Sequence, residues 1–239
     1  MVSRPRGVAK RLRTPARRWR AGVLLGAGNA LNLLVRLYGD TDKLSHGYLP
    51  HYETHVGPRR FDSMLVFEIG VGGYESLTPG GSLAVWRDYF FRSRIVGLDI
   101  EDKLVRLGSR VAFERADQNS HEDLRAVVAR HGVPDIVIDD GSHVGAHIRA
   151  TFEFLWPQMR AGSIYVIEDL STSYYPSYDG GDPPPPSSAI ALLQSMVDSV
   201  QAQDNTFDRY PEWGTRSAPA HADLQALHVY PGIAFIVKG

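Results

Sequence analysis

Between Met64 and Glu168 the chain alternates short apolar runs with stretches of helical spacing, which limits the fold more than any other feature. Met64–Ile69, Arg94–Ile100, Val111–Arg115, Pro134–Asp139 and Ser163–Glu168 read as strands. Leu83–Phe91, His121–His131 and Val144–Met159 read as helices between them, the last stopped by Ala161-Gly162. Strands that are apolar almost throughout are buried on both faces, so the pattern predicts an α/β fold with a parallel sheet between helical layers. Further on, Ile190–Gln203 reads as a helix. Leu224–Tyr230 and Ile233–Lys238, parted by Pro231-Gly232, read as a closing antiparallel hairpin. Ser171–Ser188 is rich in Tyr, Gly, Asp and Pro and reads as an exposed loop, long enough to suggest a functional role.

The N-terminus has a different character. Arg4, Arg6, Lys10, Arg11, Arg13, Arg17, Arg18 and Arg20 crowd it, although the whole chain carries a net charge of −1. A solvated tail is the simplest expectation for such an arm. Contact with an anionic membrane surface is a lesser option, and no nucleic-acid partner is expected because an acidic core would repel phosphates. Ala21–Tyr38 is apolar but is interrupted by Asn29, Asn32 and Arg36, so it suits neither a signal peptide nor a membrane span. Leu24, Leu25, Leu31, Leu34 and Leu37 fall near helical spacing and predict a helix packed on the core or on a second subunit. Residues 1–39 are therefore expected to form an arm and helix, and residues 40–239 the main domain. The chain has no cysteine, which excludes disulfides, thiolate metal sites and cysteine nucleophiles, and fits a cytoplasmic location.

Ligands of open α/β sheets bind beyond the carboxyl ends of the strands. The first predicted strand ends in Gly70, Gly72 and Gly73, the second in Asp99, and the third is followed by Asp117-Gln118. Glycines admit close backbone approach, an aspartate suits ribose hydroxyls, and the Asp-Gln pair suits an adenine edge. A dinucleotide fingerprint would place a third glycine where Glu75 stands, and the motif starts on an acid, Glu68. A cationic sulfonium donor, S-adenosylmethionine, suits this acidic, pyrophosphate-free pattern better than a nicotinamide cofactor; the glycines alone would also fit a plain tight turn.

Asp139-Asp140-Gly-Ser-His143 follows the fourth strand and Glu168-Asp169 the fifth. Four carboxylates converging at one sheet edge are costly unless a cation neutralises them, and oxygen donors favour Mg²⁺, Mn²⁺ or Ca²⁺. His143 is the candidate base, since imidazole is the side chain suited to proton transfer near neutral pH, and His147 is the second choice. A metal would stabilise the alkoxide developing on an acceptor hydroxyl.

The segments DKLSHGYLPHYETHVGP, FEIGVGGYESLTPGGSLAVWRDYF, VGLDIEDK, ADQNS, IVIDDGSH and IYVIEDLSTSYY occur in that order between about Asp40 and Tyr178. Together they resemble the metal-dependent sugar O-methyltransferases of the macrocin and mycinamicin type. The resemblance implies a Rossmann-like class I methyltransferase fold, a mostly parallel seven-stranded sheet closed by an antiparallel hairpin. It implies Asp140, Glu168 and Asp169 as metal ligands and His143 as base, with Glu53 as a further candidate near the metal. It also implies a cofactor pocket of Glu68, Gly70, Gly72, Asp99, Asp117 and Gln118, and a homo-oligomer with the N-terminal helix as candidate interface. The macrolide enzymes carry an additional N-terminal domain, and the region after Tyr178 is this chain's own, so the acceptor stays open. The compact form resembles actinobacterial relatives that methylate the 1-OH of a 3-O-methylated mannoside in methylmannose polysaccharide synthesis. Tyr174, Tyr175 and Tyr178 offer flat faces to a saccharide acceptor, with Tyr210 and Trp213 as lesser candidates, and the loop is expected to close over it. A macrolide deoxysugar enzyme, a catechol-type O-methyltransferase and a non-catalytic binding module are the alternatives.

Overall fold

The computed structural model describes residues 29–38, 41–72, 80–204, 209 and 219–239. The basic residues from Arg4 to Arg20, and also Leu24, Leu25, Gly73, Glu75, Tyr210 and Trp213, lie outside them. Seven strands form one sheet: β1 (Leu65–Ile69), β2 (Arg94–Asp99), β3 (Val111–Arg115), β4 (Ile136–Asp139), β5 (Ile164–Ile167), β6 (Leu224–Tyr230) and β7 (Ile233–Lys238). Their order is β3-β2-β1-β4-β5-β7-β6; β1 to β5 are parallel, and β7 pairs antiparallel with β5 and β6. The expected mostly parallel sheet with its antiparallel closing hairpin is therefore present. The helices are α1 (Ala30–Tyr38), α2 (Leu49–His55), α3 (Gly81–Tyr89), α4 (His121–His131), α5 (Gly145–Leu155) and α6 (Ala189–Gln201).

Local signals explain most boundaries. The Ser120 side chain accepts a hydrogen bond from Asp123 N at the start of α4, and Ser188 does the same for Ala191 N at the start of α6. The helix expected to run to Met159 stops as α-helix at Leu155 and continues as a 3-10 turn over Trp156–Gln158, because Pro157 lacks the N–H that would extend it. The loop at 171–188 has only short 3-10 turns, Leu170–Tyr174 and Pro176–Tyr178. The sequence reading missed a 3-10 turn at Asp42–Leu44, helix α2, and another 3-10 turn at Gly57–Arg59.

Alternation along each strand divides the core into two layers. Val66, Ile138, Val166 and Phe235 face α1, α2 and α3 through Leu31, Leu34, Tyr52 and Trp86. Phe67, Val137, Tyr165 and Ile167 face α4, α5 and α6 through Leu124, Phe152 and Leu192. Leu31 and Leu34 are fully buried, a burial worth roughly 1.5–3 kcal/mol each, so the described part of α1 uses its apolar face on its own core. Among the described residues no helix is long and apolar enough to cross a membrane.

The chain reverses direction across the sheet at β1, whose neighbours are β2 on one side and β4 on the other. That is the switch point where a crevice opens beyond the strand ends. Register places the site: Ile69 pairs with Leu98 and Asp139, and Asp139 with Ile167. The next residues along are Gly70, Asp99, Asp140 and Glu168, so the marked residues leave the sheet in one row. Gly70 has φ +85°, and a Cβ there would stand 1.9 Å from the Asp140 carbonyl oxygen, so only glycine lets β1 and β4 end this close together.

Candidate active site

A cleft with a cavity volume of about 160 Å³ opens beyond β1, β2 and β3. Gly70, Asp99, Asp117 and Gln118 line it, with Ile69, Ile100, Ala116, Gly141, Ser142 and His147. Asp99 Oδ2 accepts from Val71 N at 2.9 Å and from Lys103 Nζ at 2.6 Å, and its Oδ1 accepts from Glu101 N at 3.0 Å. The acid thus fixes the turns after both β1 and β2. Gln118 is buried, donating to Asp139 Oδ1 at 3.0 Å and accepting from Ser142 N at 2.7 Å, while Asp117 Oδ1 accepts from Asn119 N at 2.8 Å. A Cβ on Gly141 would lie 2.1 Å from Gln118 Oε1, so a side chain there would displace the buried Gln118 amide.

Two predicted cofactor residues stand apart from this lining. Gly72, at φ +51°, offers its carbonyl to Lys103 Nζ at 2.7 Å. Glu68 is fully buried beneath the cleft, accepting from Ser82 Oγ at 2.8 Å and Trp86 Nε1 at 2.9 Å. Burial pushes its pKa up, opposed by Lys43, Trp86 and Ser82. His147, the second-choice base, lines the cleft and lies 3.0 Å from Ser142 Oγ.

The acidic cluster sits on the α1–α3 side of the same edge. Asp140, His143 and Asp169 each present one ligand atom, all within 4.8 Å of one another, and their side chains are about one-fifth exposed. His143 Nε2 lies 3.6 Å from Asp169 Oδ2. The four carboxylates expected to converge do not all do so. Asp139, one residue before Asp140, points through the opposite face of the sheet to Tyr165 and Gln118, as strand alternation requires. Glu53 is likewise directed elsewhere, accepting from Leu31 N and Tyr89 OH at 2.7 Å each.

Glu168 is on the correct face but is fully enclosed. Its Oε1 accepts from Lys43 Nζ at 2.8 Å and from the Tyr52 hydroxyl. Burial and the neighbouring Asp140 charge push its pKa up to about 8, against the pull of Lys43 and Tyr52. Lys43 also donates to Asp140 Oδ2 at 2.8 Å and lies 3.6 Å from Glu68. Burial alone would lower the pKa of this lysine; the carboxylates of Asp140, Glu168 and Glu68 outweigh it and keep the ammonium charged. Tyr48 donates to Asp169 Oδ1 at 2.7 Å, and His46 Nδ1 lies 3.4 Å from the same oxygen. Lys43, His46, Tyr48 and Tyr52 were not expected here, although the segment that carries them belongs to the family-like stretch.

The backbone is unusual at the same place. His143 (φ 58°) and Asp169 (φ 54°) are two of three non-glycine residues in the left-handed region among the described residues. Such conformations cost of order 1–3 kcal/mol and persist where surrounding contacts over-determine them. Thr172 supplies one such contact: its Oγ1 lies 3.1 Å from the His143 carbonyl oxygen and 2.7 Å from that of Asp169. Of the loop tyrosines, Tyr178 meets His143 edge-on with ring centroids 6.0 Å apart, while Tyr174 and Tyr175 are exposed.

An oxygen-rich set of this kind, with one imidazole at its margin, fits a hard divalent ion. No family model matches the sequence. The sequence is 44% identical to demethylmacrocin O-methyltransferase of Streptomyces fradiae over 200 residues, 81% of this chain and 49% of that one. It is 41% identical to mycinamicin VI 2''-O-methyltransferase of Micromonospora griseorubida over 199 residues, covering 81% and 48%. The chain thus spans about half the length of the curated relatives it matches. The fold is similar to that of the MycE methyltransferase of the mycinamycin pathway, solved in complex with Mg, SAH and mycinamycin VI. The TM-score is 0.77 at 38% identity, covering 87% of this chain and 53% of that one. Over the part that aligns, the chain is thus similar in sequence and fold to sugar O-methyltransferases, one of them solved with Mg and SAH.

Proposed function

We propose that the protein transfers the methyl group of S-adenosylmethionine to a sugar hydroxyl of a glycoside, with a divalent metal, Mg²⁺ by preference. The observation that supports this most strongly is the meeting of Asp140, His143 and Asp169 beside the cleft at the β1–β4 switch point. Asp140, Asp169 and Glu168 would hold the metal; their oxygens suit a hard ion, and the chain has no thiolate to compete. When bound, the cofactor supplies an electrophilic methyl group, and the metal stabilises negative charge on the acceptor oxygen.

The chain's own residues do the rest. Gly70 and Gly141 let the ends of β1 and β4 and the Gln118 amide pack closely where they line the cleft, and Asp99, Asp117 and Gln118 give it its polar lining. His143 Nε2 would take the acceptor proton, and Asp169 Oδ2 at 3.6 Å would stabilise the imidazolium that results. Tyr178 stands beside that imidazole, and Tyr174 and Tyr175 present faces on which a sugar ring can lie. Holding acceptor oxygen and methyl carbon in line accounts for much of the expected acceleration.

A sugar acceptor is supported by the relatives, which are named for methylation of glycosides at differing positions: the 2'' position of mycinamicin VI, the 2' position of a rhamnosyl tetracenomycin and the 3 position of an olivosyl-oleandolide. A homo-oligomer and a cytoplasmic location belong to the same reading. The described part of α1 packs its apolar face on its own core.

Mass spectrometry of methyl transfer to a panel of acceptors tests the proposal. Macrolide deoxysugars, rhamnosyl polyketides, 3-O-methylated mannosides and a catechol are offered with S-adenosylmethionine and Mg²⁺. A sugar product one methyl group heavier, lost on chelation by EDTA, is expected. Transfer to the catechol alone, or transfer indifferent to EDTA, would refute it.

A further inference from the structure

The carboxylates proposed to hold the metal come from strand ends, but the donors that fix them come from one short stretch outside the sheet. Lys43 Nζ donates to Asp140 Oδ2 and to Glu168 Oε1, 2.8 Å from each. The Tyr52 hydroxyl donates to that same Glu168 oxygen, and Tyr48 OH to Asp169 Oδ1 at 2.7 Å. Each of the three carboxylates thus has one oxygen engaged by residues 43–52. Asp140 Oδ1, Glu168 Oε2 and Asp169 Oδ2 take none of these bonds.

All three donors are buried: Lys43 is 2% exposed, Tyr48 3% and Tyr52 0%. Enclosing a lysine is expensive unless it is paired, and enclosing several acids around it is equally so. The arrangement is built into the chain. Thr41 caps the 3-10 turn that aims Lys43 inward, and Pro50 in the first turn of α2 helps set the helix that places Tyr52 against Trp86 and Phe235.

We propose that residues 43–52 are the positioning shell of the metal centre. Lys43, Tyr48 and Tyr52 each hold the outer oxygen of a carboxylate, so that the remaining oxygen of Asp140, Glu168 and Asp169 is presented to the ion. Lys43 in addition balances part of the charge that these acids and Glu68 would otherwise bring together. Groups that orient metal ligands in this way commonly change metal affinity by about 10- to 100-fold when removed. The inference rests on the metal reading given above and adds residues that act through its carboxylates.

Calorimetric titration of the full chain with Mn²⁺ alone, without acceptor, tests it, alongside metal-free melting curves. Tyr48→Phe and Tyr52→Phe remove a single hydroxyl each, Lys43→Met removes the charge, and Asp169→Asn is the reference for losing a ligand. Each of the first three is expected to raise the Mn²⁺ Kd about 10- to 100-fold. Tyr48→Phe should do so while keeping the wild-type metal-free melting temperature. Wild-type affinity in both tyrosine variants, or tighter binding in Lys43→Met, would overturn the positioning role; tighter binding would make the lysine a competitor of the ion. If Lys43→Met fails to fold, the two tyrosine variants decide. If wild type and Asp169→Asn bind Mn²⁺ alike, the metal reading itself falls, and this inference with it.

Discussion

His143 and Asp169 share a left-handed backbone, and Thr172 touches the carbonyl oxygen of both. The imidazole is thereby aimed by its own peptide unit as much as by its side-chain contacts. Replacing His143 with Ala should lower the methyl-transfer rate by about 10²- to 10⁴-fold, the usual contribution of a general base. Binding of S-adenosylhomocysteine, measured by calorimetry, should stay near wild type, because His143 does not line the cleft proposed for the cofactor. Gly70→Ala tests the opposite kind of residue. Its Cβ would collide with the Asp140 backbone, so a stability loss of about 2 kcal/mol or more is expected in chemical denaturation. A wild-type midpoint would mean that the ends of β1 and β4 are farther apart than described. Gly70 and Asp99 were legible in the sequence because each ends an apolar run. The left-handed angles of His143 and Asp169 were not, since neither residue type signals φ in the way glycine does.

At the scale of elements, the boundaries that could be read were those marked by local chemistry. Ser120 and Gly132 bracket α4, and Pro231-Gly232 turns β6 into β7. The stretch from Asp42 to His55 had no such legibility. Its side chains find partners 97, 116, 121 and 125 positions away, a range that no periodicity reports. The loop after β5 is intermediate: its exposure and aromatic content were evident, but not that Thr172 would brace the backbone of His143 and Asp169. Thr172→Val should cost about 1 kcal/mol of stability, the scale of one hydrogen bond, with a proportionally larger loss of methyl transfer. Equal proportional losses would make Thr172 a plain packing residue. Tyr174→Ala together with Tyr175→Ala should raise KM for the sugar while leaving the melting temperature unchanged, because both rings are exposed. An unchanged KM would remove them from the acceptor site.

The whole molecule concentrates its cost at one sheet edge. Alternation puts Glu68, Asp140 and Glu168 on the α1–α3 side and Asp139 on the other, a division latent in the strand pattern but visible only once the register was known. Glu168, held near a pKa of about 8 when no metal is bound, links that edge to global stability. Its folded pKa is raised, so the stability contributed by its protonated form is fully present below the ordinary carboxylate range. That contribution is lost as pH rises through about 8. A divalent ion would compete with this proton, so the increase in melting temperature on adding Mg²⁺ should be small near about pH 6 and larger near about pH 8.5. An increase that does not depend on pH would mean that Glu168 does not exchange its proton for the ion.

The most direct test of the central claim is a crystal structure with Mn²⁺ and S-adenosylhomocysteine, with the ion located by its anomalous scattering. One strong peak is expected between Asp140 and Asp169, in contact with Glu168 and beside His143, with the cofactor in the cleft lined by Gly70 and Asp99. No peak at that edge, or a peak elsewhere in a crystal whose protein methylates sugars, would contradict it.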